Sequence, residues 1–346
     1  MTRAIITGVT GCLGSNLAAA LVRQGVDVIG IVQPGAPRTA IQGLPLTLCE
    51  ADILDAKALQ AALEPADWLF HTAAIADDWK HSAVAVYRTN VAGTENVLAA
   101  ARRVGVRRFL LTASAAALGV PTRLNPLLDE NSRFNLPPQD WTYAYSKVMA
   151  EKALWRAAEE SAMECVSLLP TAIIGPADQS QISGQLVVRA WQGDLFPFPQ
   201  GGVNFVDVRD VAAGEILAAR QAQPGERYVL GGHNLSHLHV LGVIADELGV
   251  PVRYLHLPEW SIPALAQSAA GARRLGLKVP IDAQRVRMSR MYMYYNNAKA
   301  VEELGFQARP FSESVRATLD WYLRQGVLTP RPALNRSAAF EGGLNG

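Results

Sequence analysis

Two residues four positions apart, Tyr143 and Lys147 in the segment YAYSK, have side chains that together could transfer protons. Positions i and i+4 of a helix lie on the same face, so the phenol and the ammonium would be neighbours. A free phenol titrates near ~10, and an adjacent cation favours its phenolate form. The pair could therefore act as acid or base towards an alcohol or carbonyl oxygen. Taken alone, the same residues also fit an ordinary helix surface.

Ser114 is a third candidate for catalysis, and it follows the apolar run that ends at Thr112. Its hydroxyl could donate a hydrogen bond to the oxygen on which the tyrosine acts. A serine just past a strand is ordinarily a turn residue. Its occurrence together with the YAYSK pair and a glycine-rich loop favours the catalytic interpretation.

The glycine-rich loop is the segment TGVTGCLG at residues 7–14, between a predicted strand and a predicted helix. In such a loop the first glycine permits a tight turn, the second lets the backbone approach a pyrophosphate, and the third allows close helix packing. The N-terminus of the helix adds N–H groups and a positive dipole end. The loop therefore predicts a dinucleotide site, with these candidate contacts: Gly8, Thr10, Gly11, Cys12, Leu13 and Gly14.

The elements that must position these residues alternate between strand and helix patterns. Strands are predicted at residues 4–7, 26–32, 46–50, 68–71, 108–112 and 165–169, and helices at 15–24, 56–63, 87–104, 142–158 and 208–221. This alternation indicates an α/β protein with a Rossmann-type, doubly wound parallel sheet. The ligand crevice of such a sheet lies at the carboxyl ends of the strands, where the candidate residues occur.

The domain organisation follows from where this alternation stops. Residues 1–170 are predicted to form the dinucleotide-binding domain, with 203–232 returning to it. Residues 171–202 and 233–328 are predicted to form a smaller, partly interleaved substrate lobe. Residues 329–346 lack periodicity and are rich in small and polar residues, which predicts a loose tail.

The composition excludes several classes of partner. The chain has 346 residues, 49% of them hydrophobic, with 32 Lys and Arg against 31 Asp and Glu. This balance indicates neither a nucleic-acid groove nor an anionic membrane surface. No apolar run approaches the ~20 residues of a membrane span, and no leader pattern precedes the first strand. We expect a cytoplasmic protein.

Cysteine and histidine do not form a metal pattern. Cys12, Cys49 and Cys165 are too widely spaced for a disulfide framework or a zinc site, which fits a reducing compartment. The HxxxHxH motif at residues 233–239 has no nearby cysteine or acidic cluster. No metal is expected.

The glycine spacing GxxGxxG, a serine after a strand and a later YxxxK together resemble the extended branch of the short-chain dehydrogenase/reductase superfamily. Further similar segments are FHTAA at 70–74, NVAGTENVLAAA at 90–101, NFVDVRDVAAG at 204–214 and YVLGG at 228–232, so the resemblance spans roughly residues 1–325. It implies a catalytic triad of Ser114, Tyr143 and Lys147, with Asn90 ordering the active site, and it suggests a homodimer.

The resemblance also implies further cofactor contacts. Asp52 and Ile53 would flank the adenine, and Ala73 and Ala74 would line the cofactor. Without the resemblance these four residues would be assigned to a turn and a packed strand end. Tyr143 and Lys147 would also touch the cofactor, together with Thr112, Pro170 and Ile173.

The choice between NADP and NAD depends on the end of the second strand. An NAD site usually has a carboxylate there, but this strand ends Ile31-Val32-Gln33. Gln33 stands where related reductases often carry an arginine for the 2′-phosphate, and Arg38 five residues on could reach it. NADP is favoured, and NAD remains an alternative.

The chemistry is indicated by the segment LLPTAIIGP at residues 168–176. Sugar-nucleotide enzymes of this superfamily commonly have arginine and asparagine where this chain has Leu169 and Ala172, and its PTxxxGP resembles reductases similar to dihydroflavonol reductase. Ala115 and Ala116 replace the Asp-Glu pair typical of dehydratases. A carbonyl reductase or alcohol dehydrogenase is favoured. The alternatives are a nucleotide-sugar epimerase and a non-catalytic dinucleotide-binding redox sensor.

The substrate is expected to be a small carbonyl compound or alcohol. Loops after the strands supply the candidate pocket residues, although packing is the commoner role of such side chains. They are Ile75, Trp79, Ala116, Thr171 and Ala172.

Overall fold

The computed structural model describes residues 2–122, 126–198, 200–258, 260–274 and 288–330. Most of the predicted tail, from residue 331 onward, lies outside the described residues. A seven-stranded sheet forms the centre, in the order β10-β6-β5-β4-β1-β2-β3, and every neighbouring pair in it is parallel. Its strands are β1 (Arg3–Thr7), β2 (Asp27–Val32), β3 (Thr47–Glu50), β4 (Trp68–His71), β5 (Arg108–Thr112), β6 (Glu164–Pro170) and β10 (Arg227–Leu230).

Helices cover both faces of the central sheet and the outside of a second, smaller region. They are α1 (Cys12–Arg23), α2 (Ala56–Ala62), α3 (Ala83–Tyr87), α4 (Gly93–Val104), α5 (Thr142–Glu159), α6 (Gln185–Gln192), α7 (Val208–Gln221), α8 (His237–Leu248), α9 (Ser261–Arg274), α10 (Ala298–Leu304) and α11 (Phe311–Arg324). In the described part of the chain, no helix combines the length and the apolar character that a membrane span requires.

Neighbouring residues on β1 show how the two faces of the sheet are filled. Ile6 packs in one buried cluster with residues of α1 and α7, whereas Ile5 packs in another with residues of α2, α4 and α5. Successive side chains of a strand point to opposite faces, so each face has its own layer of helices. The predicted doubly wound α/β sheet is confirmed, with the carboxyl ends of its strands meeting at one edge.

The second region is built around a smaller mixed sheet. Its strands are β7 (Ala172–Ile174), β9 (Gly202–Asp207), β11 (His233–Ser236) and β13 (Tyr292–Met293), and two further strands, β8 (Leu195–Phe198) and β12 (Arg253–His256), pair with each other. The sequence predicts that residues 203–232 return to the first region. Strand β9 instead pairs with β7, β11 and β13, and only α7 and β10 join the central layers. Strand pairing is a long-range choice that the local pattern of β9 does not specify.

Two helix boundaries differ from the predicted ones. Helix α1 begins at Cys12, inside the glycine loop, because Gly11 already has the extended backbone of an N-cap. The predicted helix at 87–104 is interrupted by a π-helical turn at Arg88–Ala92, between α3 and α4. The side chain of Asn90, within this turn, is buried and bonded to a neighbouring loop, which periodicity alone does not reveal.

Candidate active site

A cavity of about 1080 Å³ lies where the carboxyl ends of the central strands face the second region. The glycine loop and α1 line one end, and the ends of β5 and β6 and the start of α5 line the middle. Side chains of α6, β8, β9 and α8 line the other end. The cavity volume is of the size expected for a small-molecule site.

The glycine loop presents bare backbone to this cavity. Gly8 has φ +71°, a left-handed conformation that favours glycine, and a Cβ there would lie 2.8 Å from the backbone of Ala73. The Gly11 N–H donates to the Gly8 carbonyl at 3.0 Å, which closes the turn before α1. A twelve-residue helix therefore begins directly after this turn, with its N-terminus at the cavity wall. This cradle fits a dinucleotide pyrophosphate.

Most of the predicted cofactor contacts line the cavity. Those on its wall are Gly8, Thr10, Gly11, Cys12, Leu13, Gly14, Ala74, Thr112, Tyr143, Lys147, Pro170 and Ile173. The cavity wall does not include Gln33, Arg38, Asp52, Ile53 or Ala73. Ala73 supports the turn at Gly8 from behind, and Ile53 is buried against α4, where a Cβ on Gly93 would meet it at 2.6 Å.

The residues predicted to choose between NAD and NADP contact acidic partners. The Gln33 amide donates to the Asp52 carboxylate at 3.4 Å, and Arg38 forms an ion pair with Glu50. Glu50 ends β3 beside Val32 of β2, so a carboxylate does lie next to the end of the second strand, supplied by its neighbour. The Arg38–Glu50 pair is half exposed, and such surface pairs exchange easily.

Ser114, Tyr143 and Lys147 all line the middle of the cavity. Ser114 follows β5 and caps a short 3₁₀ turn, where the Ala116 N–H donates to its Oγ at 3.2 Å. The hydroxyl hydrogen of Ser114 can therefore be donated to a substrate oxygen. Tyr143 lies in the first turn of α5, and Lys147 lies one turn further along. The fold thus brings together three groups from two elements that are about thirty residues apart.

Lys147 is a buried cation. Its Nζ donates to the main-chain carbonyl of Thr112 at 2.9 Å. Burial lowers its pKa to about 8, and the carboxylates of Glu151 and Glu215 act in the opposite direction. The ammonium form of Lys147 is therefore still the major one at neutral pH, but a small further fall of its pKa would make the neutral amine a large fraction.

Asn90 lies behind the cavity wall and joins two parts of the site. Its side chain accepts from the Ile75 N–H at 2.8 Å and donates to the Ile75 carbonyl at 3.0 Å. The same amide donates to Ser146 Oγ at 2.9 Å, and the Ser146 hydroxyl donates to the Tyr143 carbonyl at 2.7 Å. Asn90 therefore ties the loop after β4 to the first turn of α5.

A buried histidine that the sequence does not single out, His71, continues this network. Burial and the charge of Lys147 lower its pKa to about 3, so the ring stays neutral. Thr94 Oγ1 donates to the Asn90 carbonyl at 2.7 Å and so accepts from His71 Nε2 at 2.9 Å. His71 Nδ1 then accepts from the Thr7 hydroxyl at 2.7 Å. The chain of bonds links the strand before the glycine loop to Asn90.

The predicted substrate residues divide into two groups. Trp79, Ala116, Thr171 and Ala172 line the cavity, whereas Ile75 does not. The backbone of Ile75 is instead held by Asn90, which explains its place behind the wall.

The sequence matches the family model described as the NAD dependent epimerase/dehydratase family over residues 4–231. That span contains the glycine loop, Ser114, Tyr143 and Lys147. The chain belongs to this family. The predicted membership of the extended short-chain dehydrogenase/reductase group is thereby confirmed.

Relatives within the NAD dependent epimerase/dehydratase family include proteins with reductase names. "Putative dihydroflavonol 4-reductase" from Synechocystis is 31% identical over 331 residues, covering 93% of this chain and 95% of the relative. "Cinnamoyl-CoA reductase 1" from Petunia hybrida is 29% identical, covering 75% and 78%. The crystal structure of gox2253 has a TM-score of 0.83 at 29% identity, covering 94% of this chain and 99% of that one.

A further part of the site in this member of the epimerase/dehydratase family lies after β7, in a loop after a strand, where candidate pocket residues are expected. Residues 176–183, between β7 and α6, form a loop that lines the cavity with Asp178 and its neighbours. The Asp178 carboxylate accepts from the Gly184 N–H at 2.9 Å, and the Tyr322 hydroxyl donates to the Asp178 carbonyl at 3.0 Å. The loop is therefore fastened by a helix near the end of the described chain.

The loop at residues 176–183 is also bonded to the start of α1, just after the glycine loop. The Asn16 amide donates to the Pro176 carbonyl at 3.0 Å, and the Cys12 thiol contacts the same carbonyl. Burial raises the pKa of Cys12 well above its usual range, so the thiol stays protonated. Cys12 therefore acts as a packing residue at the cavity wall.

Aromatic and aliphatic side chains also line the cavity. They include Trp141, Leu186, Phe196, Leu241, Met293 and Tyr295. Two histidines of the HxxxHxH motif each bond a main-chain carbonyl, His233 that of Arg309 and His237, which also lines the cavity, that of Ser289. The described residues contain no group of three metal-ligating side chains.

Proposed function

We propose that this protein is an NAD(P)-dependent carbonyl reductase or alcohol dehydrogenase. The observation that carries the proposal is that Ser114, Tyr143 and Lys147 line one cavity together with the glycine loop. The names of the reductase relatives support the same reaction class. The bound nicotinamide would supply the hydride in reduction and accept it in oxidation.

Each of the three residues has a distinct role in this proposal. Ser114 donates its hydroxyl hydrogen to the substrate carbonyl oxygen, while Tyr143 gives that oxygen its phenolic proton as the hydride arrives at carbon. The Lys147 ammonium stabilises the negative charge that develops on Tyr143 and is held in place by the Thr112 carbonyl. Asn90, through Ser146, positions the turn of α5 that carries Tyr143. In alcohol oxidation the proton moves in the reverse direction.

The walls at the far end support an uncharged substrate rather than a sugar nucleotide. Among the described residues of the cavity wall, the only lysine and arginine are Lys147 and Arg189. The Arg189 guanidinium donates to the Asp194 carboxylate at 3.1 Å and to the Leu195 carbonyl at 3.0 Å, and it lies over the Phe196 ring. Among the described residues of this wall, a nucleotide-sugar diphosphate would therefore find only Arg189 as a second cation, and it would have to compete with Asp194 for it. This favours the reductase over the epimerase.

For the cofactor, we propose NADP with NAD as the alternative. Arg38 is close enough to the end of β2 to exchange its ion pair with Glu50 for the 2′-phosphate, at little cost because the pair is exposed. The carboxylate of Glu50 would favour NAD if Arg38 stays bound to it.

The experiment that tests the proposal combines binding and turnover. NADPH or NADH fluorescence should change on binding, and a panel of ketones and aldehydes should include one that consumes the cofactor. Tyr143→Phe should reduce that turnover at least about a hundredfold while the cofactor still binds. Tyr145→Phe is the matched control, because Tyr145 packs on Phe134 and does not line the cavity.

Three results would contradict the reductase proposal. Equal turnover in Tyr143→Phe and in the parent protein would remove the triad. Release of an epimerised sugar nucleotide without net consumption of cofactor would support the epimerase instead. Cofactor binding without any turnover on either substrate class would favour the redox sensor.

A further inference from the structure

A buried carboxyl group outside the predicted triad lies against the residues that hold Lys147. Glu215, in the middle of α7, has 0% of its surface exposed. Its Oε1 accepts from the Thr112 hydroxyl at 2.6 Å. The main-chain carbonyl of the same Thr112 accepts from Lys147 Nζ at 2.9 Å. One residue at the end of β5 thus connects the carboxyl group to the ammonium.

The other oxygen of this carboxyl group has no partner in the described part of the chain. Glu215 Oε2 is fully buried and forms no hydrogen bond with any described residue. Burying a carboxylate without full hydrogen bonding is costly, and nearby positive charge is what offsets the cost. The charge that acts on Glu215 is that of Lys147. The pair therefore gives α7 an electrostatic contact with the proposed active site.

Glu151, also near Lys147, is differently engaged. It lies one turn further along α5, and Arg227 binds its carboxylate with two hydrogen bonds of 2.9 Å each. The Ser167 hydroxyl donates to it as well, at 2.7 Å. Most of its charge is therefore compensated by Arg227. No arginine among the described residues binds Glu215, so its charge is not compensated in the way that the charge of Glu151 is.

Several other charged groups on or next to the elements packed against α7 have partners of their own. These are Arg108 with Glu164, Asp207 with Arg209, Lys299 with Glu226, and Glu303 with the hydroxyl of Tyr228. His71, which faces Lys147 from β4, is neutral. Glu151 and Glu215 both raise the pKa of Lys147, and Glu215 is the one of the two that no arginine among the described residues binds.

We propose that Glu215 is a positioning residue that keeps Lys147 in its ammonium form and, through Thr112, holds it beneath the proposed site of proton transfer. The role rests on the proposed function, in which the Lys147 ammonium stabilises charge on Tyr143. Glu215 does not line the cavity, so a substrate or cofactor bound there would not touch it. Its action is through the electrostatic field at Lys147 and the orientation of Thr112.

The direct test is an NMR titration of lysine labelled with ¹³C at Cε, in which Lys147 is assigned by its absence from Lys147→Arg. In Glu215→Gln, which keeps the oxygen that accepts from Thr112 but removes the charge, the midpoint of Lys147 should fall by about one pH unit or more. Glu215→Asp keeps the charge, and its midpoint should lie nearer that of the parent. An unchanged midpoint in Glu215→Gln would overturn the proposal.

A second readout uses the pH profile of carbonyl reduction with the substrate found in the panel. Loss of the ammonium at lower pH should move the alkaline limb of kcat in Glu215→Gln down by about one pH unit and leave the rate at pH 6 little changed. A merely structural role would lower the rate equally at every pH. That uniform loss, with an unchanged Lys147 midpoint, would refute the positioning role.

The titration does not require turnover, so the role of Glu215 and the proposed reductase function can be rejected independently of each other. If the Lys147 midpoint falls in Glu215→Gln but the protein reduces no carbonyl, the electrostatic contact between Glu215 and Lys147 is supported and the reductase function is rejected. If Glu215→Gln does not fold, Thr112→Val carries the test. That variant removes the hydroxyl that stabilises the carboxylate but keeps the carbonyl, so it should also lower the midpoint. A midpoint equal to the parent's would then overturn the proposal.

Discussion

The carbonyl of Gly8 lies directly against Gly14, so close that a Cβ on Gly14 would come within 2.2 Å of the Gly8 oxygen. The third glycine of the motif is therefore required by the contact between the first turn of α1 and the loop before it. Gly14→Ala must displace one of them. It should weaken NAD(P)H binding at least about tenfold and lower the free energy of unfolding by about 1–3 kcal/mol.

Fluorescence titration with the cofactor and urea unfolding would measure the two effects of Gly14→Ala. The matched control is Gly242→Ala in α8, where a Cβ meets nothing within 4 Å. Alanine is the better helix former, so this control should bind the cofactor normally and gain about 0.5–1 kcal/mol. Normal cofactor affinity in Gly14→Ala would contradict the assigned role of the loop.

The ion pair of Arg38 and Glu50 predicts a change in cofactor preference. Glu50→Gln removes the carboxylate that holds Arg38, so the affinity for NADPH should rise, by about threefold to tenfold, while that for NADH stays level or falls. Arg38→Ala should weaken NADPH binding and leave NADH binding nearly unchanged. Parallel titrations with both cofactors measure this, and equal responses of the two cofactors would exclude Arg38 as a 2′-phosphate ligand.

Glu215 predicts a dependence of stability on pH. Burial raises its pKa from 4.5 to about 7, so between these values the folded protein binds a proton that the unfolded chain has released. The stabilising contribution is full below pH 4.5 and is lost as the pH rises through 7, which amounts to about 3 kcal/mol. The excess stability of the parent over Glu215→Gln should therefore fall with rising pH.

Urea unfolding at several values from pH 5 to pH 8 would measure this difference. Glu160→Gln supplies the control, because Glu160 forms an exposed pair with Arg102. The stability of this variant should therefore change with pH as that of the parent does. If the curves for the parent and Glu215→Gln run parallel, the carboxyl group of Glu215 does not titrate in this range.

The bond between Arg227 and Glu151 predicts a large loss of stability. Glu151 is buried, and Arg227→Gln would remove the cation that its carboxylate binds with two hydrogen bonds, at a cost of about 3 kcal/mol. The exposed pair of Arg102 and Glu160 gives the comparison, since Arg102→Gln should cost less than about 1 kcal/mol. Thermal or urea unfolding of both variants distinguishes the two, and equal losses would contradict the importance of burial.

Much of the fold and part of the site could be predicted because their signals are local. The glycine loop lies within eight residues, YxxxK spans one helical turn, and alternating apolar patterns mark the strands and helices of the central sheet. Each of these patterns depends on neighbours in the chain. Residues such as Ser114 and Ala172 are predictable from their place just after a strand, since parallel strands bring their carboxyl ends together.

Only the tertiary structure decided the contacts between distant segments. Glu215 meets Thr112 across 103 positions, the loop at Asp178 is held by Tyr322 across 144, and β9 pairs within the second sheet. No local pattern specifies such partners, because they depend on which elements pack together. The types and spacing of Tyr143 and Lys147 thus predict a kind of chemistry, while the burial that lowers the pKa of Lys147 follows only from how distant elements pack around it.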